Sequence, residues 1–497
     1  MARGRHVKLR LVDVRPGRPE WRFAVFVAAL AFLLFFYRSS AVGLLGPDEP
    51  RYAQVAREML RSGDFITPHL LGQPWFEKPP LYYWMAAASF RFLGANETAA
   101  RLPSGLAAVG FLILFAWITQ RLFPGETWRY SVLILLSSLG WIGFGRAATM
   151  EMLFASSLAG SLGFLALWVW QGRRRWLFAF HGLLAISVLA KGLGGIVLAG
   201  LILLAYCVVT GEYRWLLRVL HPLPLTLFAV LALPWYGAMY FKHGNLFIQE
   251  FIIKHHFARY VTSELEHPGE WWYYGPVLLA GIFPWSAHLA SLRAKGLDKD
   301  HRRMFLLVWV LVVVVFFSIS RAKLPGYALP ALPALAMWMG EEWKRALTRQ
   351  LRLIGLAQGA LIGISSLVLQ FSSTGMSFAL GAVILVWFAW RGRRFGAVVL
   401  VSSLTTAAML WVIPVLGPQV DQTGSARGIA RSVCDKRFVV GAAPRHILYG
   451  LEFYCDRDLS NVANAEYLLS ATEAPGAVAV ERFPAGELTL WKLRPGP

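Results

Sequence analysis

The chain has 497 residues, 57% of them hydrophobic and only 15% charged, with 21 Trp and 33 Phe, and its mean hydropathy is +0.50. The apolar residues fall in blocks of about 20, the length that crosses a bilayer, which excludes a soluble globular protein. The net charge of +21 does not point to nucleic acid, because the basic residues stand in short clusters between apolar blocks rather than along one polar face.

"MARGRHVKLR" opens the chain and predicts a basic cytoplasmic segment over 1–22. The apolar run 21–45 is too long for a signal-peptide core and lacks a small-residue cleavage site, so it is expected to remain as a first span. The other basic clusters are "QRLFPGETWR", "QGRRRW", "GEYRWLLR", "SLRAKGLDKDHRR", "EEWKRALTRQLR" and "RGRRF". Short cytoplasmic loops hold such clusters, so the chain must cross the membrane twice between each successive pair. Between the first two clusters the crossings are the first span and 101–121. That leaves "PPLYYWMAAASFRFLG", 79–94, as an interfacial helix, since roughly 16 residues fall short of a span. The same rule places spans near 127–145, 150–170, 176–191, 193–210, 221–241, 271–291, 303–320, 326–341, 352–371, 375–391 and 396–415. The total is about thirteen, with the C-terminus outside.

This topology puts the unusual polar stretches on the outer face: 46–78, "GRAATMEM" at 145–152, "AKGLGG" at 190–195, the loop 242–272, and "SRAKLPGYALP" at 320–330. Lys and Arg there run against the positive-inside bias, and binding a phosphate at the outer surface would give them a reason. A transporter or flippase would show repeated halves and charges deep within spans. Neither is visible, because the charges crowd at one surface.

In "GPDEPRYAQVAREML", Pro50 suits a first helical turn, and Asp48 and Glu49 suit the positive end of the helix dipole. Tyr52, Val55, Ala56 and Met59 recur at helical spacing, with Arg51, Arg57, Glu58 and Arg61 mostly off that stripe. The pattern predicts an amphipathic helix on the membrane surface with carboxylates at its mouth, in which Asp48 is either a helix-end acid or a reacting one. In "FEKPP", the residue before a proline is held extended, so Lys78 is kept at the rim, and Glu77 and Lys78 are expected to serve different partners. In "IIKHHFARY", His256 and Arg259 share a helix face if the segment is helical. His256 with Glu77 offers two ligands suited to a divalent metal such as zinc; a metal-free interfacial histidine pair is the alternative.

"PDEPRYAQVAREML", "FEKPPLYYW", "ARLPS", "HHFARY" and "KLPGYALPALPALA" together resemble the bacterial aminoarabinose transferase branch of the protein-mannosyltransferase-like glycosyltransferases, of the GT-C superfamily. The resemblance covers roughly residues 20–420. It implies a polytopic α-helical GT-C fold with thirteen transmembrane helices and two juxtamembrane helices in a large first periplasmic loop. It also implies a polyprenyl-phosphate (undecaprenyl phosphate) sugar donor, used without a nucleotide at the outer face of the inner membrane. Carried over by position, Asp48 matches the essential first-loop acid, with Glu49 its customary neighbour. Glu151 stands where many relatives carry Asp. Arg51, Lys78 and Arg259 resemble phosphate-holding groups, Glu77 and His256 metal ligands, and Tyr82, Tyr83 and Tyr327 cavity-lining aromatics. The implied acceptor is lipid A, another envelope glycolipid or a protein hydroxyl, and the implied state is a monomer.

The composition changes over 417–497. "RFVVGA", "GAVAVERF" and "LTLWKL" read as strands and "HILYGLEFYC" as a helix, predicting a small α/β periplasmic domain after the membrane domain of 23–416. Cys434 and Cys455 both lie there and could pair in an oxidising compartment, whereas Cys207 sits in a span without a visible partner.

Overall fold

The computed structural model describes residues 21–258, 269–292, 300–345, isolated positions between 352 and 389, and then 390–456, 459, 465–474 and 477–493. Helices dominate. In chain order they are α1 (Trp21–Phe35), α2 (Asp48–Ser62), α3 (Leu81–Leu93), α4 (Glu97–Leu122), α5 (Thr127–Leu136), α6 (Leu139–Gly145), α7 (Glu151–Gln171), α8 (Arg174–Lys191), α9 (Gly194–Thr210), α10 (Arg214–Arg218) and α11 (Pro222–His243). A π-helical segment (Ile248–Ala258) follows, then α12 (Tyr274–Ile282), α13 (His301–Ile319), α14 (Leu332–Arg345), α15 (Arg394–Gly424), α16 (Arg427–Val433) and α17 (Arg445–Cys455). Among the described residues, α4, α7, α11, α13 and α15 are long and apolar enough to cross a membrane, and α1 and α9 are shorter apolar helices.

Several expected spans appear as continuous helices with nearly the expected ends, among them α7, α8, α9 and α11. Three are interrupted. The span expected at 127–145 is split into α5 and α6 at Ser137 and Ser138, whose hydroxyls donate back to the carbonyls of Leu133 and Ile134. Such side chains offer the backbone an alternative to the helical ladder. The break is used: Trp285 Nε1 donates to Ser137 Oγ, 3.0 Å, and Leu139 N to the carbonyl of Phe283, 2.9 Å. The spans expected at 271–291 and 326–341 likewise divide, into α12 followed by a 3-10 turn (Trp285–Ser291), and into a 3-10 turn (Pro325–Ala331) followed by α14. The spans at 352–371 and 375–391 fall mostly outside the described residues, as does the basic segment 1–20.

The first outer loop folds as two helices. α2 ends at Gly63, whose φ of 69° permits a left-handed cap with its N–H on the Met59 carbonyl. A two-residue hairpin, β1 (His69–Leu70) with β2 (Gln73–Pro74), connects it toward α3. At 13 residues, α3 is too short to span and packs sideways on α2 and α4, as the charge rule requires.

The C-terminal unit is a four-stranded sheet of β3 (Phe438–Val440), β4 (Tyr467–Ser470), β5 (Val478–Phe483) and β6 (Leu488–Lys492), in the order β3-β4-β6-β5. The β3/β4 pair is parallel and the others antiparallel. Ile429, Val433, Phe438, Ile447, Leu451, Leu469, Leu488 and Leu490 form its own core. Cys434 and Cys455 form the expected disulfide, tying the end of α17 to the end of α16. Cys207 is buried and unpaired. Helix α15 runs on to Gly424, so position 417, where the soluble domain was expected to begin, lies inside a helix.

α17 docks on α2, and this corrects the picture of α2 as a surface helix with a solvated polar face. Tyr52, Val55, Ala56 and Met59 are buried as the pattern requires, but so are Gln54 and Arg57. Arg57 donates to the carbonyls of Phe453 and Glu452, at 2.7 and 2.9 Å, and pairs with Asp456 at 2.7 Å. A guanidinium here satisfies carbonyls left free at a helix C-terminus and complements its dipole.

Candidate active site at the outer membrane surface

Asp48 and Glu49 open α2 and have opposite fates. Glu49 is buried, and its two oxygens accept from Arg101 Nε (3.0 Å) and Nη2 (2.6 Å) and from the backbone N–H groups of Leu45 and Ala148 (2.7 and 2.6 Å). Arg101, from the "ARLPS" stretch in α4, also donates to the carbonyls of Ser39, Val42 and Gly43. This fork-on-carboxylate pair fixes the strand of chain that delivers Asp48. The sequence marked Glu49 as catalytic; the geometry makes it a positioning group.

Asp48 keeps 37% of its side chain exposed, against 8% for Glu77. Its Oδ1 pairs with Arg51 Nη2 at 2.5 Å, and Arg51 Nη1 lies 3.0 Å from Glu77 Oε2. Lys78 Nζ lies 3.4 Å from Glu77 Oε1. The expectation that Glu77 and Lys78 serve different partners therefore fails, because the chain bends at 77–78 instead of running straight. The Arg51 guanidinium also rests against the rings of Tyr52, Trp75 and Tyr449, at 5.1, 5.4 and 6.0 Å, contacts that suit a planar delocalised cation. Tyr449 comes from α17, so the C-terminal unit touches the site.

A second cluster adjoins the first. Glu151 begins α7 and pairs with Lys191, the last residue of α8, at 3.0 Å. Lys191 Nζ sits 4.7 Å from the Tyr327 ring centre, and Tyr327 packs on Phe317 at 4.7 Å. The "KLPGY" turn approaches so closely that a Cβ at Gly326 would come within 2.6 Å of Glu151 Cγ. Tyr82 and Tyr83 are fully buried beneath α2, Tyr82 donating to the Ala100 carbonyl at 2.8 Å. They support α2 from below, where the sequence suggested a cavity lining.

The charges of the two clusters interact. Burial raises the Asp48 carboxyl above the ordinary aspartate range; Glu151 and Glu77 add to this, while Arg51 and Lys78 oppose it. Burial works against the Arg51 charge, but Tyr52, Glu77 and Asp48 outweigh it, so its guanidinium stays protonated. The site thus holds carboxylates at Asp48, Glu49, Glu77 and Glu151 against cations at Arg51, Lys78, Arg101 and Lys191. A balanced set of this kind can receive an anion on its cations without a large change in net charge.

His256 and Arg259 cannot be placed: the Arg259 backbone and both side chains lie outside the described residues. A metal on Glu77 finds no support in the described donor set, since Glu77 faces Arg51 and Lys78, and no group of three His, Cys, Asp or Glu side chains gathers there. Two residues of the site, Lys191 and Arg101, were not singled out from sequence. Both carried a signal: Lys191 is an outer-face lysine ending an apolar helix, and Arg101 is an arginine inside an otherwise apolar segment.

A family model described as dolichyl-phosphate-mannose-protein mannosyltransferase matches residues 77–237. The chain is 34% identical over 359 residues to undecaprenyl phosphate-alpha-4-amino-4-deoxy-L-arabinose arabinosyl transferase 2 of Pseudomonas fluorescens, covering 70% of this chain and 59% of that one. It is 29% identical over 503 residues to the corresponding transferase of Pseudomonas aeruginosa, covering 94% of this chain and 84% of that one. In three dimensions it resembles ArnT from Cupriavidus metallidurans bound to undecaprenyl phosphate, with a TM-score of 0.78, 23% identity and coverage of 95% and 98%. It also resembles the oligosaccharyltransferase of Archaeoglobus fulgidus, with a TM-score of 0.51, 11% identity and coverage of 91% and 69%. These structural likenesses establish the fold.

Proposed function

We propose, from the premise that this chain belongs to the aminoarabinose transferase branch of the protein-mannosyltransferase-like glycosyltransferases, that it moves a sugar from undecaprenyl phosphate to an envelope glycolipid of the lipid A type. The sugar is of the 4-amino-4-deoxy-arabinose class. The reaction takes place at the outer face of the inner membrane, with the C-terminal unit in the periplasm. The observation that carries this reading is the convergence of Asp48 with Arg51 and Lys78, joined through Glu77, at the end of an apolar helical bundle.

The chemistry follows from those groups. The leaving group is a phosphate monoester, already a stable anion, so it needs cations rather than a proton donor. Arg51 and Lys78 supply them, with Glu77 holding the two in register. Asp48 accepts the proton of a hydroxyl acceptor; for a phosphate acceptor it orients the nucleophile and offsets positive charge developing on the sugar. Glu151 and Lys191 brace the outer ends of α7 and α8 beside Asp48. The energy resides in the phosphosugar bond, so no nucleotide enters. Glu77 is read here as an organiser of cations, and no step passes through a metal.

The test is mass spectrometry of lipid A, other envelope glycans and envelope proteins from cells with and without the gene. The expected result is loss of a pentosamine mass from lipid A. Loss of a sugar from proteins alone, with lipid A unchanged, would replace this reading with protein O-glycosylation.

A further inference from the structure

Asp48 belongs to two environments. One is the Arg51, Glu77 and Lys78 cluster. The other is a cavity of about 470 Å³ walled by the end of α1, the entry to α2, the α6–α7 connection and α15. Its lining is largely apolar, with Val42, Leu45, Gly143, Ala147 and Ile413, yet it includes the guanidinium groups of Arg38 and Arg146. Asp48 and Glu49 are its acids, and Glu49 is held by Arg101. Arg146 is fastened only to carbonyls, those of Leu34, Tyr37 and Arg38, at 2.9, 3.1 and 3.3 Å. Burial and the Arg101 charge push Arg146 down to about 10, as befits a cation with no carboxylate beside it. The Arg38 side chain is exposed and has no hydrogen-bond or ion-pair partner among the described residues. Arg51, Glu77 and Lys78 do not line this cavity.

Resting on the transferase reading above, we infer that this cavity is the acceptor site and that it takes a phosphate-bearing, acylated glycolipid, whose phosphate meets Arg38 and Arg146. Displacement at a sugar carbon with inversion needs the nucleophile and the leaving phosphate on opposite sides of that carbon. With the donor phosphate on Arg51 and Lys78, the acceptor must come from the other side of Asp48, where the cavity lies. An acceptor phosphate oxygen forms the new bond to the anomeric carbon as the bond to the donor phosphate oxygen breaks, its electron pair staying on undecaprenyl phosphate. The acceptor phosphate loses one negative charge, the donor phosphate gains one, and no proton need be removed. Apolar walls with two under-compensated guanidinium groups match such an amphiphile and not the neutral hydroxyl of a protein chain.

The experiment uses the full chain in proteoliposomes, with transfer from the undecaprenyl-phosphate sugar to three acceptors: an acylated disaccharide bisphosphate, the same lipid without phosphates, and its deacylated bisphosphate headgroup. Only the first is expected to be a good acceptor. Arg38→Gln is expected to raise the acceptor KM by roughly 10-fold, with donor affinity and thermal stability unchanged and Arg38→Lys recovering most of the loss, as for a charge-assisted phosphate contact. If wild type transfers sugar to no lipid, the transferase reading fails. If it transfers equally well to the dephosphorylated lipid, or if Arg38→Gln leaves the acceptor KM unchanged, the transferase reading stands and this acceptor site is overturned. Equal use of the deacylated headgroup overturns the amphiphile in favour of a soluble phosphosugar.

Discussion

Replacing Asp48 with Asn removes a charge while keeping shape. Arg51 then loses one carboxylate partner but keeps Glu77 at 3.0 Å, and the three aromatic rings still hold its guanidinium. The cations of the site therefore stay in place, and the balance of four carboxylates and four cations named above shifts by one positive charge. Binding of the anionic donor should be unchanged or slightly tighter, while turnover falls by roughly 10²-fold or more because the group acting on the nucleophile is neutral. Lys78→Ala should fail differently. It strips a phosphate contact worth about 1.5–3 kcal/mol, or about 10- to 150-fold in donor Kd. The assay measures sugar transfer in proteoliposomes and, separately, binding of the donor lipid. Near-normal transfer by Asp48→Asn, or a loss of donor affinity that tracks its loss of turnover, would refute the assignment and return Asp48 to the role of a helix-end acid.

The acid limb of the pH–rate profile should lie above the ordinary aspartate range, since burial raises Asp48 and activity falls as pH drops through its pKa. Lys78→Ala should move that limb further up and Glu77→Gln should move it down, because these neighbours respectively lower and raise Asp48. Lys191→Met should cost about 3–5 kcal/mol by stranding the Glu151 carboxylate, with the Glu151→Gln, Lys191→Met double variant recovering much of it; thermal unfolding in detergent measures both. Removing the Cys434–Cys455 disulfide, which joins residues 21 apart, should destabilise the C-terminal unit by about 3 kcal/mol, seen as faster proteolysis at the α16 to β3 connection.

Charge and hydropathy along the chain were enough to settle that it is a multi-pass helical membrane protein. They also settled that 79–94 does not cross and that Asp48, Arg51, Glu77 and Lys78 crowd into one outer loop, because the cost of putting polar groups in hydrocarbon acts on each segment separately. Local patterning also foretold α17, β3, β5, β6 and the paired cysteines. What sequence could not decide is which of two adjacent carboxylates is spoken for. Glu49 and Asp48 look alike in "PDEP", and only the arrival of Arg101 from α4 and of the Ala148 N–H from the α6–α7 connection separates them. The same holds for the polar face of α2, read as solvated, which α17 covers from almost 400 residues away along the chain. Periodicity reports how a helix divides into faces. It does not report which distant segment will neutralise the polar one, since that depends on long-range pairing of charges and free carbonyls that exists only once the chain is folded.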